Sequence, residues 1–169
     1  GQWWEGNTQR ALANNSVCYT EKPDSETFLR EWLALMESKS GERGIFNRVA
    51  SVEQAKKSGR RKTDFEFGTN PCSEIVLRPR QFCNLSEVVV RAEDTLETLK
   101  EKVRIATILG TVQSTLTHFP YLRDIWKKNT EEERLLGVSL TGIMDNKITN
   151  GTSDFDLKEV LEELKQVAI

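Results

Sequence analysis

The chain has 169 residues, 24 basic against 26 acidic side chains, a formal net charge of −2 and 37% hydrophobic residues. A chain of ~150 residues can bury roughly 70% of its unfolded surface, and so balanced a charge argues against a protein whose main work is gripping nucleic acid or an anionic membrane. No apolar run approaches the roughly 20 residues that span a bilayer, and three cysteines make no disulfide framework, which favours a reducing, cytoplasmic setting. The chain opens at Gly1-Gln2-Trp3-Trp4 without an initiator Met and closes on Ile169 inside an amphipathic pattern, so an internal piece of a longer protein is expected, truncated at both ends.

Along the chain, residues 3–19 have no clean period. Pro23-Asp24 predicts a helix start, with Phe28, Trp32 and Met36 on one stripe, Leu29 and Leu33 beside it, and Gly41 with Gly44 as the stop. A short helix is predicted over residues 49–57, then a basic loop over residues 56–62. Strand-like runs at residues 75–77 and 88–90 flank Gln81-Phe82-Cys83-Asn84. Asp94 and Glu97 resemble a capping box in front of the longest predicted helix, residues 95–118, whose apolar face includes Leu96, Leu99, Val103 and Ala106 and is widened by Ile105, Ile108, Leu109, Val112 and Leu116. A face that broad predicts burial on more than one side. After Pro120, a short helix is predicted over residues 121–128, and residues 135–142 read as a buried strand ending in a Gly-rich turn. Residues 157–167 read as a helix behind Asp154 and Asp156. Strands alternating with long helices predict α/β with parallel pairing, and no linker divides the chain.

The segment Asn70-Pro71-Cys72-Ser73-Glu74 carries the clearest chemistry. Asn-Pro marks a turn. If the segment is extended, residues i, i+2 and i+4 point one way, so Asn70, Cys72 and Glu74 would aim an amide, a thiol and a carboxylate at one spot. That trio can orient a hydroxyl, take its proton and do sulfur chemistry beside it. The same spacing also fits a loop with a buried Cys and a solvated Glu. Cys83 is eleven positions on, too far for a C-x-x-C pair, and can be a buried hydrophobe at a strand entrance; Cys18 reads as a core residue. With His118 the single histidine, no metal site is predicted, and His118 is expected at the C-terminal carbonyls of the long helix. The basic loop can meet substrate phosphates or be solvated, and Asn14, Asn15 and Ser16 can line a nucleotide site or make a backbone-bonding turn.

Residues 67–75, Phe-Gly-Thr-Asn-Pro-Cys-Ser-Glu-Ile, together with Phe82-Cys83-Asn84-Leu85, resemble the active-site finger loop of ribonucleotide reductases. The likeness is to the adenosylcobalamin-dependent class II enzymes, of the monomeric ribonucleoside-triphosphate reductase type. Residues 131–142, 13–17 and 40–48 are similar to the same group, in the family's order. The resemblance implies a part of a ten-stranded α/β barrel, with residues 1–169 an internal segment of the catalytic barrel domain. It implies that Cys72 becomes the thiyl radical that abstracts the ribose 3′-hydrogen, that Glu74 takes the 3′-hydroxyl proton, and that Asn70 hydrogen-bonds the substrate. Cys83 would be one member of the redox dithiol, its partner lying outside this chain, since Cys18 belongs to a different family segment. Asn14, Asn15, Ser16 and Ser73 are weaker candidates for substrate contact. Adenosylcobalamin, bound mostly by parts outside this chain, and a thioredoxin-like dithiol reductant are implied, with a ribonucleoside triphosphate as substrate and no nucleic acid or membrane partner.

A thiyl radical needs shielding from water, and a desolvated Glu74 would be the better base. The rival reading is a non-catalytic α/β or helical interaction module whose cysteines only pack. Geometry discriminates the two: Asn70, Cys72 and Glu74 should converge on a concave face, with the Cα atoms of Cys72 and Cys83 within ~10 Å.

Overall fold

A computed structural model describes residues 3–6, 9, 15–39 and 43–169, with the side chains of Trp3, Trp4, Asn15 and Arg43 left undescribed. It divides into two compact units, Gly1–Gln81 and Phe82–Ile169. Both are mixtures of helix and strand, as the α/β expectation requires, and each contains one pair of parallel strands separated in sequence by helix. The described strands form three two-stranded sheets; a ten-stranded barrel is not among them.

In the first unit a one-turn helix, α1 (Trp3–Gly6), precedes β1 (Asn15–Tyr19), which pairs in parallel with β2 (Arg43–Asn47), Cys18 opposite Phe46 and Ser16 opposite Gly44. Neither strand has a sequence period that announced it. Between them lies α2 (Ser25–Ser38). Asp24 caps it, its carboxylate accepting from the Thr27 N–H at 2.9 Å and the Thr27 hydroxyl at 2.6 Å. The helix stops earlier than the predicted glycines: Lys39 adopts the left-handed conformation (φ 50°) and donates to Met36 O, while Gly44 sits inside β2 and Gly41 lies outside the described residues. β2 runs directly into α3 (Arg48–Ser58), where Asn47 accepts from the Ala50 N–H at 2.9 Å and Gly59 closes the end at φ 65°. A short antiparallel hairpin, β3 (Gly68–Thr69) and β4 (Val76–Leu77), completes the unit.

The second unit holds the larger core. β5 (Asn84–Val89) pairs in parallel with β6 (Leu136–Thr141), and α4 (Leu96–Ser114) crosses between them in sequence, followed by α5 (Asp124–Glu133). β5 alternates: Asn84 and Val88 are buried and Leu85 and Val89 exposed. Val88 and Val90 meet Leu99, Val103 and Ala106 of α4 and Val160 and Leu164 of α6 (Leu157–Val167). Gly110 permits the close approach of α4 and β6, because a Cβ there would lie 2.1 Å from Leu136 Cδ1.

Five expectations need correction here. The cap of α4 is Thr95, boxed with Thr98, one position beyond the predicted Asp94–Glu97 pair; Asp94 instead accepts from Arg91 N–H, the Thr98 hydroxyl and Lys102 Nζ. The helix ends at Ser114, so His118 is exposed four positions past it rather than on its last carbonyls. The second apolar face is bare, with Ile105, Ile108, Leu109, Val112 and Leu116 between 47% and 69% exposed. The helix predicted over residues 121–128 is found later, as α5, and β6 is half-buried rather than buried. The final helix matches its prediction, with Asp156 accepting from Glu159 N–H. No helix among the described residues is long and apolar enough to cross a membrane.

Candidate active site

Residues 70–75 join β3 to β4 through a tight turn, not as the extended segment that alternation requires. Asn70 organises it. Its carbonyl accepts from Ser73 N–H at 3.0 Å, its N–H donates to Ile75 O at 3.3 Å, and its Oδ1 accepts from Ile75 N–H at 3.0 Å. Pro71 occupies the second turn position, where its fixed φ costs nothing. Ser73 carries the left-handed conformation at φ 67°, a strain of roughly 1–2 kcal/mol for a residue with a Cβ. The hydroxyls of Thr69 and Ser73 lie 3.5 Å apart across the base.

Asn70 and Glu74 do come together, but by folding rather than by alternation: Asn70 Nδ2 donates to Glu74 Oε1. Cys72 stands at the apex between these two residues. All of Pro71, Cys72, Ser73 and Glu74 are exposed, so the desolvated setting expected for the thiol and the carboxylate is absent from this chain's own fold.

The base of the turn borders a cleft of about 320 Å³, lined by Ser16 and Cys18 of β1, Phe46 of β2, Arg48 of α3, and Thr69, Asn70 and Pro71. Cys18 is exposed at this cleft and is not the core residue its apolar neighbours suggested. Ser16 is a genuine neighbour of the turn: a Cβ on Gly44 would sit 3.1 Å from Ser16 Oγ and 3.7 Å from Ser73 Oγ, so the missing side chain of Gly44 leaves room for both hydroxyls. Asn14 lies outside the described residues, and Asn15 is described only as the first residue of β1.

Sequence reasoning missed the arginines that hold this region. Arg48 Nε donates to Phe67 O at 2.7 Å, and Arg61 Nη1 donates to Val76 O at 2.8 Å. The Arg61 guanidinium lies 4.8 Å from the centroid of Phe67, and that of Arg78 4.1 Å from Phe65. Arg61 stands in the basic run read as solvent- or phosphate-facing, yet it is half-buried against the hairpin. Its one available signal was the Phe65-Glu66-Phe67 alternation just downstream, which offers ring faces to a guanidinium.

Cys83 belongs to the second unit, half-buried at the entrance to β5. Phe82 before it packs on Phe119 and Trp126 at centroid distances of 5.1 and 4.8 Å, and buried Asn84 after it donates through Nδ2 to Leu135 O at 3.1 Å. The cysteine is thus fixed on both sides. Cys18, Cys72 and Cys83 are all thiols. Among the described residues no group of three His, Cys, Asp or Glu side chains could hold a metal ion. The 320 Å³ cleft is at the lower end of small-ligand sites and is too small to enclose a corrin.

No family model matches the chain. No solved structure matches it. Among curated proteins it is similar to the adenosylcobalamin-dependent ribonucleoside-triphosphate reductase of Lacticaseibacillus paracasei, 36% identical over 148 residues, covering 80% of this chain and 18% of that protein. The protein of the same name from Lactobacillus gasseri is 30% identical over 144 residues, again 80% of this chain and 18% of the relative. That from Lactobacillus leichmannii is 29% identical over 171 residues, 92% of this chain and 22% of the relative. The chain is consistent with a fragment of an adenosylcobalamin-dependent ribonucleoside-triphosphate reductase and spans about a fifth of the length of the relatives it matches.

Proposed function

We propose that this chain is the radical-cysteine segment of a ribonucleotide reductase that converts ribonucleoside triphosphates to 2′-deoxyribonucleotides for DNA synthesis, residues 1–169 forming part of the wall and finger loop of a ten-stranded α/β barrel in the catalytic domain. The observation that carries this reading is the turn at residues 70–74, where Asn70 and Glu74 are hydrogen-bonded to each other with Cys72 at the apex. The names of the relatives supply the substrate class.

The chemistry assigns one role to each group. Adenosylcobalamin, held by the remainder of the longer enzyme, supplies the unpaired electron when bound. The Cys72 thiyl takes the 3′-hydrogen of the ribose, forming S–H and leaving a carbon radical. Glu74 accepts the 3′-hydroxyl proton, and Asn70 orients that hydroxyl once the substrate replaces its contact with Glu74. The 2′-hydroxyl departs as water with a proton from the dithiol. Cys83 and a second thiol then give up two electrons and their remaining proton, which place a hydrogen on C2′, and close as a disulfide; Glu74 returns its proton to the 3′-oxygen and Cys72 its hydrogen to C3′. The sum is one C–O bond replaced by C–H, one water, and one disulfide, which a thioredoxin-like dithiol reduces in the cytoplasm. Ser16 and Ser73 border the place the substrate would take; Asn14 and Asn15 are proposed as substrate contacts on the family resemblance alone. Cys72 and Cys83 are then required to lie within about 10 Å, Cα to Cα, in the complete enzyme. Exclusion of water from the exposed turn falls to the rest of the polypeptide.

The test uses the full-length reductase that carries this segment. Cys72→Ser is expected to abolish turnover. Cys83→Ser is expected to begin hydrogen abstraction without completing reduction, releasing free base and inactivating the enzyme. Glu74→Gln should slow the reaction by the ~10²–10⁴-fold that general-base catalysis supplies. Normal product formation by Cys83→Ser with a dithiol reductant would remove Cys83 from the mechanism, and normal turnover by Cys72→Ser would remove the whole reading in favour of cysteines that merely pack.

A further inference from the structure

We infer that Arg48 and Arg61, at the two ends of α3, are positioning residues that set the register of the hairpin carrying Cys72; the inference rests on the proposed role of that cysteine. Arg48 is the first residue of α3, and Arg61 lies two positions past the glycine that closes it. Each reaches a different strand of the hairpin. Arg48 Nε donates to Phe67 O at 2.7 Å, immediately before β3, and Arg61 Nη1 donates to Val76 O at 2.8 Å, on β4. The two acceptors flank the turn on opposite sides.

The hairpin needs such a support. Its ladder has only two residue pairs, Gly68 with Leu77 and Thr69 with Val76. A two-stranded hairpin is marginal in water by itself, and a slip of one residue turns every side chain to the other face. Such a slip would move the Cys72 sulfur and break the Asn70–Glu74 pairing. α3 is an eleven-residue helix capped at both ends, and the two arginines bracket it, Arg48 as its first residue and Arg61 just past its closing glycine. Arg61 contributes more than a donor. Its guanidinium lies over the ring of Phe67, which is fully buried, so one side chain ties the carbonyl of β4 to the residue that leads into β3. A planar, forked cation can stack on the ring while donating in its own plane, whereas an ammonium is a compact point charge without that fork.

The consequence is kinetic. In the full-length reductase, Arg61→Met keeps the length and apolar stem but removes the donor and the charge. Its expected effect is a fall in kcat on the order of 10²-fold, the cost of misplacing a reacting group by about 1 Å, with KM within about twofold of the parent, because uniform substrate binding is untouched. Arg61→Lys retains a donor for Val76 O and is expected to recover part of that loss, within about tenfold of the parent. Arg48→Lys serves as the second variant should Arg61→Met not fold, with the same split expected in smaller measure. Unchanged kcat in Arg61→Met overturns the inference. So does a loss shared equally by kcat/KM and melting temperature in the Met and Lys variants alike, which would mark a structural role only. Cys72→Ser, measured alongside, separates the two levels: normal turnover there removes the radical reading, whereas an inactive Cys72→Ser beside a fully active Arg61→Met removes the arginine clamp alone.

Discussion

The two units contain the same motif, two parallel strands separated by a helix, and they use it in opposite ways. In the second unit α4 buries Leu99, Val103, Ala106, Gly110 and Ser114, and its core continues into α6. In the first unit α2 buries only Ala34, while Leu29, Leu33 and Met36 are 62%, 52% and 65% exposed and Phe28 stacks on Trp32 at 6.3 Å. A helix-crossed parallel pair is a stable unit only when its helix face is covered. The second unit covers one face of its helix with its own residues; the first leaves its helix stripe to solvent. The difference separates a part that specifies its own packing from a part whose helix stripe and 70–74 turn both stand exposed.

The sharpest way to break that comparison is a matched pair of truncations. Leu99 is fully buried, and Leu99→Ala is expected to destabilise the second unit by about 3 kcal/mol, the transfer and cavity terms together. Leu33→Ala, on an exposed position of α2, should change stability by no more than about 0.5 kcal/mol. Amide hydrogen exchange in α2 and α4, followed through denaturant unfolding, reads the two separately. Equal costs at the two leucines would mean that α2 is packed in solution as firmly as α4.

A second pair tests the turns. Gly142 has φ 75°, and a Cβ there would lie 2.4 Å from the carbonyl oxygen of Val90, a backbone atom that cannot swing aside. Gly59, at φ 65°, has nothing within 4 Å of its would-be Cβ. Gly142→Ala is therefore expected to cost about 2–3 kcal/mol, from strain plus collision, against roughly 1 kcal/mol for Gly59→Ala, from strain alone. Thermal or chemical denaturation of each variant distinguishes them; a smaller loss at Gly142 would place the turn after β6 outside the second core.

A third pair concerns polar groups. Asn146 is 1% exposed; its Nδ2 donates to Arg91 O at 2.9 Å and Asp94 O at 2.8 Å, and its Oδ1 accepts from Ile148 N–H at 2.9 Å. Removing it strands buried partners, so Asn146→Ala should cost about 2 kcal/mol. Asn47, an exposed cap of α3, should cost about 1 kcal/mol on replacement by Ala. Reversal of that order in equilibrium unfolding would contradict the contrast in burial.

These pairs also mark what the sequence made legible. The face of Leu99, Val103 and Ala106 was readable because a long amphipathic repeat has one way to meet a sheet. The cap of the same helix was misread by one position because Asp94 and Thr95 are both good caps, and the choice was made by Lys102, which claims Asp94. β1 and β2 were invisible: Ser16 and Asn47 are polar, Gly44 is a poor strand former, and parallel pairing is specified by partners remote in sequence rather than by local period. At the turn, the residue types of Asn70, Cys72 and Glu74 were legible, and their geometry was not. Pro71 and the left-handed Ser73 bend the segment, so the amide and carboxylate meet across a turn. Arg61 was hidden by its neighbours, since a run of lysines and arginines reads as solvated until a ring such as Phe67 is placed beneath one of them.

The smallest expected effect sharpens the contrast in electrostatics. Burial pushes the Asp94 carboxyl up, but hydrogen bonds from Lys102 Nζ, Arg91 N–H and the Thr98 hydroxyl outweigh it and hold it below the ordinary aspartate value. Its side chain is only 7% exposed, and the Lys102 ammonium lies 2.5 Å away. A carboxyl whose pKa is lower folded than unfolded contributes stability above its unfolded value, near pH 4, and loses that contribution as pH falls through the folded value. Stability of the second unit should therefore decline below about pH 4 in the parent, and Asp94→Asn should be less stable at neutral pH with a flatter profile in that acid range. Asp24 is lowered too, through the Thr27 hydroxyl and N–H, but it is exposed at the start of α2. Asn caps a helix about as well as Asp, so Asp24→Asn should leave the first unit nearly as stable at neutral pH. Unfolding measured from pH 2 to 7 checks both. If the Asp24 variant flattens the profile as much as the Asp94 variant, the exposed cap is as strongly coupled to folding as the half-enclosed ion pair, and the two units do not differ electrostatically in the way their burial implies.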